Sequence, residues 1–319
     1  MSTGTDKKLD FDVRGGLLKM TSLTSSAHFL MGHPRHFAVT YRINPWMEPE
    51  RWARDGQALS AASGAEWDQF AAKLKALGAR IEVVPAEPGL PDLVFTANGA
   101  VVLDRVALLA RFRHPQRQAE EPHFAAAFHR LQARGLIDAV CRLPDGLVLE
   151  GAGDCVWDPA RRLFWMGYGQ RSDAAARRTV EDTFAVDVVA LELADPRFYH
   201  LDTALCPLPG GEVIYLPEAF TEQGRGLIRD WVEPSFRIEI TDADASLLAA
   251  NAVCIGNAVI MAEGASPALT RRLHDHGYCV IPTPLDSFRR SGGAAFCLTL
   301  RLDRRSGREM DAMQAVAAE

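Results

Sequence analysis

The stretch Ala252-Val253-Cys254-Ile255-Gly256-Asn257-Ala258-Val259-Ile260-Met261 sets two apolar runs on either side of Gly256-Asn257. Gly and Asn tolerate positive φ, so this pair reverses the chain cheaply and the runs read as a hairpin of short strands. Residues 267–276 then read as a helix, and Gly277 stands where a helix C-cap is wanted. Residues 280–282 form one more strand. The unit is strand, strand, helix, strand.

The same unit recurs upstream. Residues 93–103 and 106–111 are joined at Asp104-Arg105. Residues 155–158 and 163–167 are joined by Pro159-Ala160-Arg161-Arg162, and 201–208 and 212–216 by Pro209-Gly210-Gly211. Helical stretches at 120–134, before Gly135, and at 172–184 lead into strands at 139–142 and 188–192. A spacing of roughly 50 to 60 residues marks a repeat architecture, whose units are each too small to bury their own apolar face. The last segment, 295–302, reads as a strand without a hairpin partner, and 37–43 is predicted to pair with it and close a ring. No linker rich in Ser, Gly or Pro divides 28–319, so one domain is expected there, with 1–27 as a floppy tail.

Composition narrows the function. The chain has 319 residues, 48% hydrophobic and 24% charged, the balance of a soluble globular protein. Its net charge of −6, with no block of one sign, argues against a nucleic-acid groove. No run approaches membrane-span length, and residues 1–27 lack the apolar core and cleavage site of a signal peptide, so a cytoplasmic protein is expected. The cysteines at 141, 155, 206, 254, 279 and 297 form no CxxC pair and fit no zinc site; most read as buried thiols in a reducing compartment.

Five short segments combine polar, turn-forming and apolar residues in a way that packing alone does not explain. They are Ile43-Asn44-Pro45-Trp46-Met47, Pro91-Asp92-Leu93-Val94-Phe95-Thr96-Ala97-Asn98, Glu150-Gly151-Ala152-Gly153-Asp154, Tyr199-His200-Leu201-Asp202-Thr203 and Ser291-Gly292-Gly293-Ala294-Ala295-Phe296-Cys297. Each lies at or beside the start of a hairpin, and in a ring of repeats such starts converge at one end of the axis. Cys297, after two glycines that let backbone approach a substrate, is either a core thiol or a nucleophile. His200 and Asp202 would share a face if they lay in a strand, and a His beside a carboxylate suits acid–base work. Arg117 sits in a charged, Pro-containing stretch and by itself reads as solvated surface. Asp154 reads equally as a turn cap.

Taken together and in order, Glu-Gly-x-Gly-Asp, His-Leu-Asp and Gly-Gly-x-x-x-Cys resemble the guanidine-modifying superfamily, from about residue 28 to 302. The resemblance implies an α/β five-bladed pseudo-symmetric propeller, the pentein fold, built from ββαβ repeats. It implies a hydrolase that attacks a guanidinium carbon, with Cys297 as covalent nucleophile, His200 as general acid and base, and Glu150 as their carboxylate partner. By the same resemblance Asp202 holds guanidinium nitrogens and Arg117 meets the α-carboxylate of an amino-acid substrate. Asn44, Asp92 and Phe95 match further substrate-contacting positions. No cofactor and no metal is implied, the partner is a small molecule, and self-association is left open. At Asn98, deiminases and most dimethylargininases carry a carboxylate. An amide there resembles the arginine dihydrolases, which take arginine past citrulline to ornithine, carbon dioxide and ammonia. The alternatives are a dimethylargininase, a deiminase, an amidinotransferase and a non-catalytic binding protein.

Overall fold

The computed structural model describes residues 27–308, so the tail predicted for 1–27 lies almost wholly outside the described residues. Five three-stranded sheets share one connectivity. In chain order the strands are β1 (His28–Gly32), β2 (Arg80–Val84), β3 (Ala100–Leu103), β4 (Val106–Leu109), β5 (Ala139–Cys141), β6 (Cys155–Asp158), β7 (Leu163–Tyr168) and β8 (Val188–Glu192). They continue with β9 (Leu205–Pro207), β10 (Val213–Tyr215), β11 (Arg237–Glu239), β12 (Val253–Ile255), β13 (Ala258–Ala262), β14 (Cys279–Thr283) and β15 (Leu300–Arg301). In four sheets the first two strands form an antiparallel hairpin and the third lies parallel to the second. The fifth sheet reaches the same pattern from both ends of the described chain: β15 runs antiparallel to β1, and β1 parallel to β2.

A helix makes each parallel crossover: α1 (Pro49–Ala76), α2 (Glu121–Ala133), α3 (Ala176–Phe184), α4 (Glu222–Trp231) and α5 (Pro267–Asp275). In α1, Trp67, Phe70, Ala71 and Leu74 recur at helical spacing and are all buried. Thr221 and Ser266 cap α4 and α5 by accepting from the backbone N–H three residues on. Gly135 and Gly277 follow α2 and α5 at φ +70° and +84°, the left-handed position expected of them.

The predicted hairpins, their turns and three helices are present, and the structure corrects their edges. Residues 93–99 are not strand: Pro91–Val94 and Thr96–Gly99 are 3-10 turns, and the strand starts at Ala100. Leu201–Thr203 is likewise a 3-10 turn ahead of β9. Most of 295–302 coils back on itself, with Leu298 N donating to Ala294 O, and only Leu300–Arg301 pairs as strand. The predicted pairing of 37–43 fails outright: His28–Gly32, buried throughout, supplies that strand. Phe37 instead packs against Trp52, Phe95 and Phe288. The helix expected from 172 begins at Ala176, because Ser172 is held by Glu150 and Asp154. Helices α1 and α4 were not anticipated.

Candidate active site

Each hairpin is entered through a tight, buried turn, and a turn reverses too sharply to pair its own polar groups. Those groups therefore meet across the molecule. Glu150 and Asp154 flank the turn Gly151–Gly153, and His200 and Asp202 come from the turn at Leu201–Thr203. Asn98 lies in Thr96–Gly99, Asn251 just ahead of β12, and Cys297 just ahead of β15. All seven side chains are buried.

Two hydrogen-bonded groups result. In the first, the Cys297 thiol donates to Asp202 Oδ2 at 3.1 Å, and Asn251 Nδ2 donates to Cys297 Sγ at 3.1 Å. Asp202 Oδ1 is buried and has no hydrogen-bond partner among the described residues. In the second, His200 Nε2 meets Glu150 Oε2 at 2.7 Å. Arg171 Nη1 donates to that same oxygen at 3.0 Å, and Arg113 N donates to Oε1 at 3.0 Å. The second group extends to Asn98, whose Nδ2 lies 3.4 Å from His200 Nδ1 and which lines a pocket together with Cys297. Arg117 Nη1 donates to Asn98 Oδ1 at 2.8 Å, which turns the Asn98 amino group toward the imidazole.

Charge follows geometry. Burial works against the Glu150 anion, but Arg171 and His200 overcome it and hold the carboxyl well below its usual range. Burial pushes His200 down to about 4 against the pull of Glu150, so the ring is neutral at pH 7. An ionised Glu150 requires a proton on Nε2, which leaves Nδ1 as the basic nitrogen. Burial raises Asp202 to about 7, and burial with the Asp202 charge pushes the Cys297 thiol well up. The resting sulfur is therefore a thiol.

A narrow pocket opens on the sulfur, lined by Asn44, Asp92, Phe95, Asn98, Arg117 and Cys297 among others. Five of the six predicted substrate-side residues line it, and the sixth, Asp202, lies behind Cys297 in contact with its sulfur. Arg117 is not solvated surface: it is 3% exposed and clamped bidentately by Glu120 at 2.9 and 2.8 Å. Asp92 accepts from Tyr41 and Ser291, and Asn44 Nδ2 donates to Ser291 O, tying the first and last of the five motif segments together. A side chain at Gly292 (φ +86°) would strike Tyr199, and one at Gly293 would strike Phe95, so glycines alone let this loop close.

His200 and Asp202 do not face one way as strand residues would. The 3-10 turn sends His200 to Glu150 and Asp202 to Cys297. Asp154 accepts from Ser172 Oγ and Leu201 N, bracing two turns against each other. Sequence reasoning missed Arg171 and Asn251. Nothing local marks Arg171, which pairs with Glu150, donates to Ile43 O and stacks over Tyr199. For Asn251 a signal existed: it is the polar residue at the entrance of the fourth hairpin, the one hairpin for which no site residue had been named.

Residues 34–304 match the model of a family described as N,N dimethylarginine dimethylhydrolase, eukaryotic. The chain is 42% identical over 282 residues to the bifunctional arginine dihydrolase/ornithine cyclodeaminase AgrE of Nostoc sp., a match covering 88% of this chain and 38% of that protein. It therefore spans under two-fifths of that relative's length. It is 33% identical to the N(G),N(G)-dimethylarginine dimethylaminohydrolase of Mycobacterium tuberculosis, covering 86% of this chain and 85% of that one. The crystal structure of the N-terminal domain of ArgZ, an arginine dihydrolase from the ornithine-ammonia cycle in Cyanobacteria, superposes with a TM-score of 0.80. That domain is 37% identical, and the match covers 88% of this chain and 99% of that one; the structure holds substrate in a cysteine-to-serine variant. This chain belongs to the dimethylarginine dimethylaminohydrolase family.

Proposed function

We propose that this protein hydrolyses the guanidinium group of L-arginine through a covalent bond to Cys297, as an arginine dihydrolase that ends at ornithine. The observation that carries the reading is the pairing of Cys297 Sγ with Asp202, whose other oxygen is buried and has no donor among the described residues. A buried acceptor left open beside a nucleophile calls for a donor from the substrate, and a guanidinium N–H is one. Glu150 is already filled by three donors, so Asp202 is the better anchor for that cation. Arg117 and Arg171 line the pocket that Cys297 also lines and suit an α-carboxylate.

In this reading the five sheets form the blades of a propeller, and residues 28–308 act as one catalytic unit. The thiol proton passes to His200 Nδ1, favoured by the cation bound at Asp202. The thiolate attacks the guanidinium carbon and a C–S bond forms. Imidazolium returns the proton to a nitrogen of the adduct, the C–N bond breaks and ammonia leaves an S-alkylthiouronium. Water then gives a proton to His200 as its oxygen bonds to carbon; the C–S bond breaks and citrulline results. A second round at the same carbon expels a second ammonia and leaves a thiocarbamate. Its hydrolysis releases a carbamate that falls apart to ornithine and carbon dioxide. No residue here is asked to hold a cofactor or a metal. Six free thiols suit a reducing cytoplasm.

The test is product analysis by mass spectrometry with guanidino-labelled arginine, dimethylarginine and agmatine. Ornithine and labelled carbon dioxide from arginine are expected, with agmatine poor because it lacks a carboxylate. Citrulline as the end product overturns the dihydrolase reading in favour of a deiminase, and dimethylamine release alone favours a dimethylargininase.

Asn98 gives a sharper check. In Asn98→Asp one oxygen would keep Arg117, while the other would face His200 Nδ1 in place of an amino group. That carboxylate favours imidazolium, so the His200 midpoint should rise from about 4 toward neutrality. The acid limb of the kcat/KM profile should move up by about one unit or more. Neutral citrulline gains no charge pairing there, so the ornithine-to-citrulline ratio should fall by about tenfold. An unchanged ratio and limb remove Asn98 from control of the outcome.

A further inference from the structure

Ahead of the first strand in each of the five sheets stands a polar or thiol side chain of the site, and ahead of β12 that residue is Asn251. Its side chain is held with no freedom to flip. Oδ1 accepts from two backbone N–H groups, Ala294 at 3.0 Å and Cys297 at 3.1 Å. Only an oxygen can accept both, so the opposite end must be the amino group. Nδ2 donates to Asp202 O at 3.0 Å and to Cys297 Sγ at 3.1 Å. The backbone joins in: Phe296 N donates to Asn251 O at 3.2 Å. One residue thus grips the nucleophile loop at three successive points, and the turn that carries Asp202, and aims a donor at the sulfur.

We infer that Asn251 positions Cys297 and holds its sulfur in the anionic state, donating the hydrogen bond that remains when the thiol proton has left. While the thiol is intact, sulfur accepts from Asn251 and donates to Asp202. Once its proton is gone, the contact with Asp202 becomes repulsive, and Asn251 is the neutral donor left against the negative sulfur. A hydrogen bond to a charged group is stronger than one to a neutral group, so the contact tightens as the thiolate forms. The same amide then tracks the sulfur from thioether-like adduct back to leaving thiolate, where a donor speeds departure. The ionisable groups around the sulfur are Asp202, in contact with it, and the Tyr199 phenol, with Asp92, Arg117 and Arg171 lining the pocket. None of these is a neutral donor in contact with sulfur; Asn251 is.

The inference rests on the reading of Cys297 as nucleophile, and the test separates the two. Asn251→Asp keeps an acceptor for Ala294 N and Cys297 N but replaces the donor with an oxygen. The rate of Cys297 alkylation by iodoacetamide against pH, read by peptide mass spectrometry, reports the thiol directly and needs no turnover. The Cys297 midpoint should rise by about one unit or more, and kcat should fall by about tenfold to a hundredfold with KM within a few-fold. Asn251→Ala should move both readouts in the same direction, and serves if the Asp variant fails to fold by circular dichroism. An unchanged alkylation midpoint in a folded variant overturns the sulfur-holding role. A shifted midpoint with unchanged kcat also overturns it, by removing its bearing on the reaction. Cys297→Ala turning over at the wild-type rate would instead sink the nucleophile, while the alkylation profile would still report on the contact.

Discussion

Cys297→Ser is expected to abolish turnover while leaving the fold intact. Serine keeps the geometry: its hydroxyl can donate to Asp202 and accept from Asn251 as the thiol does. What it cannot do is ionise. Burial and the Asp202 charge already hold the thiol well above its ordinary range, and a bound cation must bring it down. An alcohol starts several units higher still, so no cation in this pocket makes it an alkoxide. Losing a covalent nucleophile costs on the order of 10⁴-fold or more in kcat. Thermal melting should stay within a few degrees of wild type, since no buried partner is orphaned. Quenched wild-type enzyme should carry an adduct on the peptide that contains Cys297. Turnover by the serine variant within tenfold of wild type would end the covalent mechanism.

The repeat was legible because its signals are local. Asp104 and Arg105 both adopt positive φ at their turn, and Gly256 and Gly277 do so at theirs, which short polar or glycine-rich sequences announce. The turns that build the site were not legible as turns, because their partners lie far away in sequence. Asp92 is satisfied by Tyr41 and by Ser291, the second 199 residues distant, and Asn98 by Arg117. A run such as Leu93-Val94-Phe95 looks like strand until those distant donors are known. Ring closure failed for a related reason. Both 28–32 and 37–43 are apolar enough to be strands, and only the contact with Leu300 and Arg301 distinguishes them. The residues singled out in the sequence do lie near one another in the fold, but not in the pairs expected of them. His200 and Asp202, taken for partners, serve different networks. In the proposed reaction that division separates the acid–base group, His200 with Glu150, from the carboxylate beside the nucleophile, Asp202.

Glu150→Gln should disable that acid–base group almost as thoroughly as the loss of the nucleophile. Both carboxylate oxygens are spoken for: Oε1 by Arg113 N, Oε2 by Arg171 and His200. An amide must turn its amino group toward one of these donors, and every choice sets donor against donor. Facing Arg113 preserves the side-chain contacts but strands a backbone N–H. Facing His200 forces the proton from Nε2 to Nδ1, and the lone pair that would take the thiol proton disappears. Loss of a base-orienting carboxylate with the wrong imidazole tautomer costs on the order of 10⁴-fold in kcat. The charge matters as well. Arg171 is 2% exposed and would lose its anion, and breaking a buried pair costs roughly 3–5 kcal/mol. The pH dependence fixes the origin of that loss. Glu150 has a folded midpoint below its unfolded value of 4.5, so its contribution is complete above about 4.5 and fades as pH falls toward the folded midpoint. His200 acts in the same direction from 6.5 down to about 4, because the unfolded ring takes up a proton there and the folded one does not. The gap in melting temperature between wild type and Glu150→Gln should therefore hold steady at neutral pH and narrow below pH 4.5. A gap that stays constant through that window would mean the carboxylate contributes shape and not charge.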